Sequence, residues 1–533
     1  MRQPQLIAAA LMLVSATLSA QDIEVLSEKN GRALPPAYYE RIQRDPDAFE
    51  LGRGWKRKLA VAQSNAGAVA GTLPLVIMPA LFSDSETQDA SISTAALQSR
   101  LFDPASSSTV SHYYNELSLG KLRISGQVTE WIRTGMTRTS VVGTSFGLGA
   151  ESGTRNWLRE IIAKADASID FGEFDNDGPD GIANSGDDDG RVDAAAFLFR
   201  EIDASCGGNG IWPHRSRFSG DEETAPQTND RQPNGQPIVV DDYIVLGARN
   251  CSGTQPLEVN VFAHETGHVL GIPDYYDLTG GLLREQRRWV VGCWEIMSAG
   301  SWGCGAGIPP GPVLPPHMGP FPKMNLGWIT PRAVNVGLKP EQFTLRAAHT
   351  SGDALRIPLS ATEYLLVEYR ARQGHDSGLP ASGVLVYHIE TGRQFLPCQN
   401  CARTYSYALL EADGDGALVK VEPAGGNRGV AGDAFGASKT SIDDATVPST
   451  RLNDGTSTWV KISGMIVDAA QGLARVTVSL APARITIERL VSALGMIPLT
   501  PEDQGLVDAA GNANGRFDVG DFRAYVRIRA ANP

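Results

Sequence analysis

Val261-Phe262-Ala263-His264-Glu265-Thr266-Gly267-His268-Val269-Leu270-Gly271-Ile272-Pro273-Asp274 is the stretch on which the reading of this chain turns. His264 and His268 are four residues apart, so a helix sets both imidazoles on one face, about one turn apart. Two neutral imidazoles so placed can share a zinc ion, and Glu265 beside the first of them can serve as general base for an attacking water. Gly271 permits the left-handed backbone that ends a helix, after which the chain can fold back and offer Asp274 as a third ligand. Three protein ligands leave the fourth tetrahedral position open, as a catalytic zinc site requires. Glu295, further along, is the alternative third ligand.

Upstream, residues 170–193 are densely acidic, with Asp or Asn alternating with Gly. Short loops wrap several oxygens around calcium in this way, and such crowding of like charge calls for a counter-cation. Asp175, Asp177, Asp180, Asp187, Asp189 and Asp193 are the candidate calcium ligands. Around these motifs the texture is that of an α+β unit over residues 71–330. A buried strand opens at Leu73, an alternating strand follows Leu119, and apolar residues recur at helical spacing over 157–167. Beyond Thr330 the pattern is strands and turns. Segments 343–347, 364–369, 383–389, 417–421, 459–467 and 473–480 suit an all-β, sandwich-like domain over 331–482. Residues 483–533 form a small helical appendage, with helices expected at 487–494 and 521–528. The loop between them offers Asn512, Asn514, Asp518 and Asp521 as weaker calcium candidates. With Gly515 at the sixth loop position, Ala510 falls where an Asp is usual.

At the start, Arg2 precedes an apolar run at 6–14 and the small residues ending at Ala20. That is a secretory signal over 1–20, too short to span a membrane. Residues 21–70 read as a short pro-segment and linker. Export makes the six cysteines disulfide candidates, and neighbour pairing (Cys206 with Cys251, Cys293 with Cys304, Cys398 with Cys401) is the simplest of 15 connectivities. The 533 residues imply two to four domains, and 42% hydrophobic with 20% charged is a globular composition. A net charge of −13 excludes the basic surface a nucleic-acid binder needs.

Together these stretches resemble the immune inhibitor A family of secreted zinc metalloendopeptidases. The resemblance is carried, in order, by Ser111-His112-Tyr113-Tyr114-Asn115-Glu116, Ile211-Trp212-Pro213-His214-Arg215, the zinc motif, Trp294-Glu295-Ile296-Met297-Ser298, Asn325-Leu326-Gly327-Trp328, Glu363-Tyr364-Leu365-Leu366-Val367-Glu368-Tyr369-Arg370 and Gly432-Asp433-Ala434-Phe435. It implies a metzincin-like catalytic domain made as a zymogen and acting on proteins or peptides. It also implies His264 and His268 on zinc, Glu265 as base, and Met297 in a methionine turn that floors the metal. The C-terminal unit resembles half of a dockerin, which implies a cohesin-like surface partner. That suggests a second reading, a secreted adhesive or cohesin-binding protein with a vestigial peptidase domain. The intact His264, Glu265, His268 and Asp274 weigh against it. A zinc exopeptidase would need a group to grip a substrate terminus, and no sequence signal marks one.

Overall fold

The computed structural model describes residues 34–531, except 46, 47, 50, 52–57, 60–66, 220–223, 278–285, 307–313, 338, 393–404, 481–484, 496 and 513. The expected signal at 1–20 and the Cys398–Cys401 pair lie outside the described residues. The architecture is mixed α/β. Its first sheet contains β1 (Gly71–Leu81), β2 (Leu122–Val128), β3 (Ala195–Phe199), β4 (His214–Arg217) and β5 (Asp242–Gly247), in the order β2-β1-β3-β5-β4. The first four in that order run parallel, while the edge strand β4 is antiparallel to β5. A two-residue strand, Ile132–Arg133, continues the pairing on β1.

β1 is buried almost throughout because both of its faces are covered. Leu73, Leu75 and Ile77 join one core with α2 (Thr94–Phe102), α3 (Val110–Leu117) and α5 (Val259–Val269). Val76, Met78 and Ala80 point the opposite way, towards Trp157, Leu158, Ile161 and Ile162 of α4 (Thr154–Ala165). This division follows from the two-residue period of a strand. Side-chain oxygens of Ser93 and Thr109 accept from Ala96 and His112 N–H at the starts of α2 and α3.

Preceding this sheet, α1 (Pro36–Arg44) and residues 48–49 lie against β4. Tyr38 and Phe49 share a small core with Leu148 and Trp212. Arg41 Nη2 donates to Ser216 Oγ at 3.0 Å, Ser216 Oγ donates to the Ala48 carbonyl, and Arg217 pairs with Asp45 at 3.1 Å.

After residue 330 come a five-stranded sheet, built mainly on Ala354–Pro358, Glu363–Arg370, Gly383–Glu390 and Tyr407–Leu409, and a three-stranded sheet of Glu341–Arg346, Val460–Asp468 and Leu473–Leu480. Leu365, Val367, Val384 and Val386 face the three-stranded sheet. Their neighbours Leu366, Leu385, Tyr387 and Ile389 face the other way and join the core that contains α3 and α5. Residues 417–421, expected as a strand, instead begin as a short 3-10 turn, Ala417–Val419. Gly416 enters it at φ +65°, and Leu418 N–H is taken by the Glu411 carboxylate, so the apolar run plugs a core without pairing. At the C-terminus helices span Ile487–Leu494, Pro501–Ala510 and Val519–Ala531. The middle one was expected as loop. Pro501 at its first position and Thr500, which accepts from Asp503 N–H, are its start signals.

Candidate metal centre

α5 carries the first two residues of the centre. His264 and His268 Nε2 stand 3.2 Å apart on its buried face. Leu270 ends the helix and Gly271, at φ +85°, reverses the chain so that Ile272 N–H reaches back to the Gly267 carbonyl. The reversal delivers Asp274, whose Oδ1 lies 3.1 Å from His264 Nε2 and 3.6 Å from His268 Nε2. Each imidazole is fixed by a backbone carbonyl at its other nitrogen, His264 Nδ1 by Ile296 at 2.7 Å and His268 Nδ1 by Ile272 at 2.8 Å. With Nδ1 donating, both Nε2 lone pairs turn to one point, the arrangement of metal-binding histidines.

Under α5, Met297 packs directly against Gly267, where an added Cβ would stand 2.4 Å from its sulfur. Met297 carbonyl accepts from Tyr275 N–H at 2.7 Å, tying the turn below the helix to the arm that carries Asp274. Glu295, the alternative ligand, is turned elsewhere. Its carboxylate accepts from Gly319 N–H at 2.7 Å, Met297 N–H at 3.2 Å and Tyr407 Oη at 3.2 Å. Tyr275 and Tyr276 are both buried.

Glu265 sits beside the three, equally buried, and its Oε2 is 3.3 Å from Arg215 Nη1 on β4. Arg215 lies in one of the stretches that carry the family resemblance, but nothing in its sequence position marks it as a partner of Glu265. Fifty residues separate the two, and only the placement of the edge strand beside α5 brings them together.

Of the six acidic-loop candidates, Asp175, Asp177 and Asp189 each bring an oxygen within 4.8 Å of the others. Burial first, then the nearby Asp188, Asp189 and Asp177, push the Asp175 carboxyl up to about 8. Its Oδ1 is fully buried with no hydrogen-bond donor on it. Asp180, Asp187 and Asp193 do not converge with these three. Asp180 caps Ile182 N–H, Asp187 takes Asp180 N–H and the Ser185 hydroxyl, and Asp193 takes Asn176 N–H at 3.0 Å. In the C-terminal loop, Asn512 and Asn514 amides both donate to Asp518 Oδ2, and Asp521 accepts from the backbone of Asn512 and Asp518. These carboxylates close the loop on itself. Among the described residues two disulfides are present, Cys206–Cys251 and Cys293–Cys304.

Residues 80–329 match the model of the immune inhibitor A peptidase M6 catalytic domain. The chain carries an M6 peptidase catalytic domain. It is 29% identical over 205 residues to the pre-pro-metalloprotease PrtV of Vibrio cholerae, 36% of this chain and 21% of that protein. To immune inhibitor A of Bacillus thuringiensis it is 28% identical over 222 residues, 38% of this chain and 30% of that protein. The chain therefore spans less than a third of the length of the curated relatives it matches. No helix among the described residues is long and apolar enough to cross a membrane.

Proposed function

We propose that the chain is a secreted zinc endopeptidase acting on proteins or peptides, with His264, His268 and Asp274 as the zinc ligands and Glu265 as the base. The observation that carries the reading is the convergence of two fixed imidazole Nε2 atoms and one carboxylate on a single buried point. The fit to zinc is close, since two nitrogens about 2.0–2.1 Å from a tetrahedral ion stand about 3.3 Å apart, against 3.2 Å here. A zinc ion there would supply Lewis acidity to the scissile carbonyl and lower the pKa of the attacking water. Glu265 accepts the proton that the water gives up and hands it to the leaving amine nitrogen. Arg215 holds the Glu265 carboxylate in place from the side of β4. The backbone carbonyls of Ile296 and Ile272 keep the imidazoles from rotating.

The orphaned, buried Asp175 oxygen fits a structural calcium ion held with Asp177 and Asp189. The packing of α1 over the outer side of β4 supports reading residues 34–49 as part of a pro-segment. In that position it covers the strand that carries Arg215. Export rests on the apolar N-terminal run of the sequence, in keeping with the disulfides.

Casein hydrolysis by the purified chain tests the reading. Activity should vanish on treatment with 1,10-phenanthroline and return on adding zinc with calcium kept constant. Hydrolysis that persists in a zinc-free protein, checked by elemental analysis, would remove zinc from the account.

A further inference from the structure

A second set of side chains, remote from α5 in sequence, has the make-up of a transition-metal site. His112 and Glu116 are four apart within α3, so the helix sets them on one face, as α5 does for His264 and His268. His375, buried in the turn Gly374–Gly378, meets them from the β-rich part of the chain. One ligand atom from each of the three lies within 4.8 Å of the other two. His112 Nδ1 and His375 Nε2 are 3.3 Å apart. That matches the separation of about 3.3 Å between two nitrogens on one tetrahedral zinc.

The carboxylate is positioned from behind. Lys323 Nζ lies 3.2 Å from His317 Nδ1, which therefore accepts, and His317 Nε2–H donates to Glu116 Oε1 at 2.6 Å. A ligand carboxylate held by a further hydrogen bond is the usual support of a metal site. His112 and Glu116 are only half-buried, leaving a side through which an ion can enter.

We propose that His112, Glu116 and His375 bind a second zinc ion, which staples α3 to the turn at 374–378. Two imidazoles and a carboxylate select a borderline transition ion over calcium or magnesium. The proposal does not depend on zinc at His264.

The test starts from the full chain carrying H264Q and H268Q, so that the first centre does not contribute. It is loaded with zinc in calcium-containing buffer and dialysed against the same buffer without zinc. Elemental analysis should find about one zinc per chain, and cobalt loading should give the visible absorption of a tetrahedral site. Adding H112Q should reduce both signals to background, with the circular dichroism spectrum unchanged. Zinc should raise the melting temperature of the H264Q/H268Q chain and not that of the H112Q/H264Q/H268Q chain. E116Q, which preserves the shape of the side chain, should weaken zinc retention at least about tenfold. A folded H264Q/H268Q chain that retains no zinc would show a hydrogen-bonded imidazole pair only, and would overturn the proposal. Zinc that survives H112Q, or is held equally well by E116Q, would do the same.

Discussion

Arg215 and Glu265 form an ion pair with both partners almost wholly removed from solvent. A buried carboxylate left without its cation is strongly disfavoured, and a charge-assisted hydrogen bond of this kind is worth about 1.5–3 kcal/mol. R215M should therefore lower kcat about 10- to 100-fold while zinc content stays at the wild-type level, with R215K recovering part of the loss. Equal kcat in R215M and wild type would show that Glu265 needs no such partner. The three proposed ligands were legible because they are local: a four-residue spacing, a glycine where the helix must end, and an acid within reach of the reversal. Arg215 was not legible, because its place depends on an edge strand lying beside α5. The acidic loop shows the same boundary more finely. Its chemistry could be read from composition, but Asp180 and Asp187 look like ligands until their oxygens are seen capping N–H groups.

At the scale of single elements, α5 lies on the Met297 turn with no room between them. G267A would put a methyl group 2.4 Å from the Met297 sulfur. Overpacking of this kind costs about 1–3 kcal/mol, so the variant should melt several degrees lower. An unchanged melting temperature would mean that the turn yields without cost. In the acidic loop the folded Asp175 carboxyl titrates at about 8 against an ordinary 3.8. The fold thus disfavours its ionised form, and the penalty is absent below about pH 4. It grows as pH rises towards 8 and is then at its full extent. In EDTA, D175N should accordingly be more stable than wild type at pH 8 and no different at pH 3.5. In calcium the order at pH 8 should reverse. Denaturant melts at both pH values, with and without calcium, decide this. If D175N is no more stable than wild type in EDTA at pH 8, the loop does not hold a suppressed charge.

The parts of the molecule are joined through their cores. Strand Glu363–Arg370 alternates between two apolar clusters, and the one on its Leu366 side also contains α3 and α5. Arg370, fully buried, donates to the carbonyls of Trp294 and His317 and pairs with Asp376 and Glu368, so the β-rich sheet grips the turn below α5. A change of texture near Thr330 is visible in the sequence, but one sheet covered on both faces is not, because Leu365, Leu366 and Val367 follow one another with no alternating polar side to count. Truncation after Thr330 should expose this apolar face and yield an aggregating protein, whereas an independent domain would remain monomeric in gel filtration. Breaking the buried pair with R370M should destabilise the full chain by about 3–5 kcal/mol, read from denaturant melts.

The central claim is that Glu265 moves the proton while the two histidines and Asp274 hold the metal. Its most direct test is E265Q, assayed for casein hydrolysis with zinc content measured on the same sample. Loss of at least about 100-fold in turnover with zinc retained at the wild-type level is the result predicted. A variant that keeps both its zinc and its activity would contradict the account.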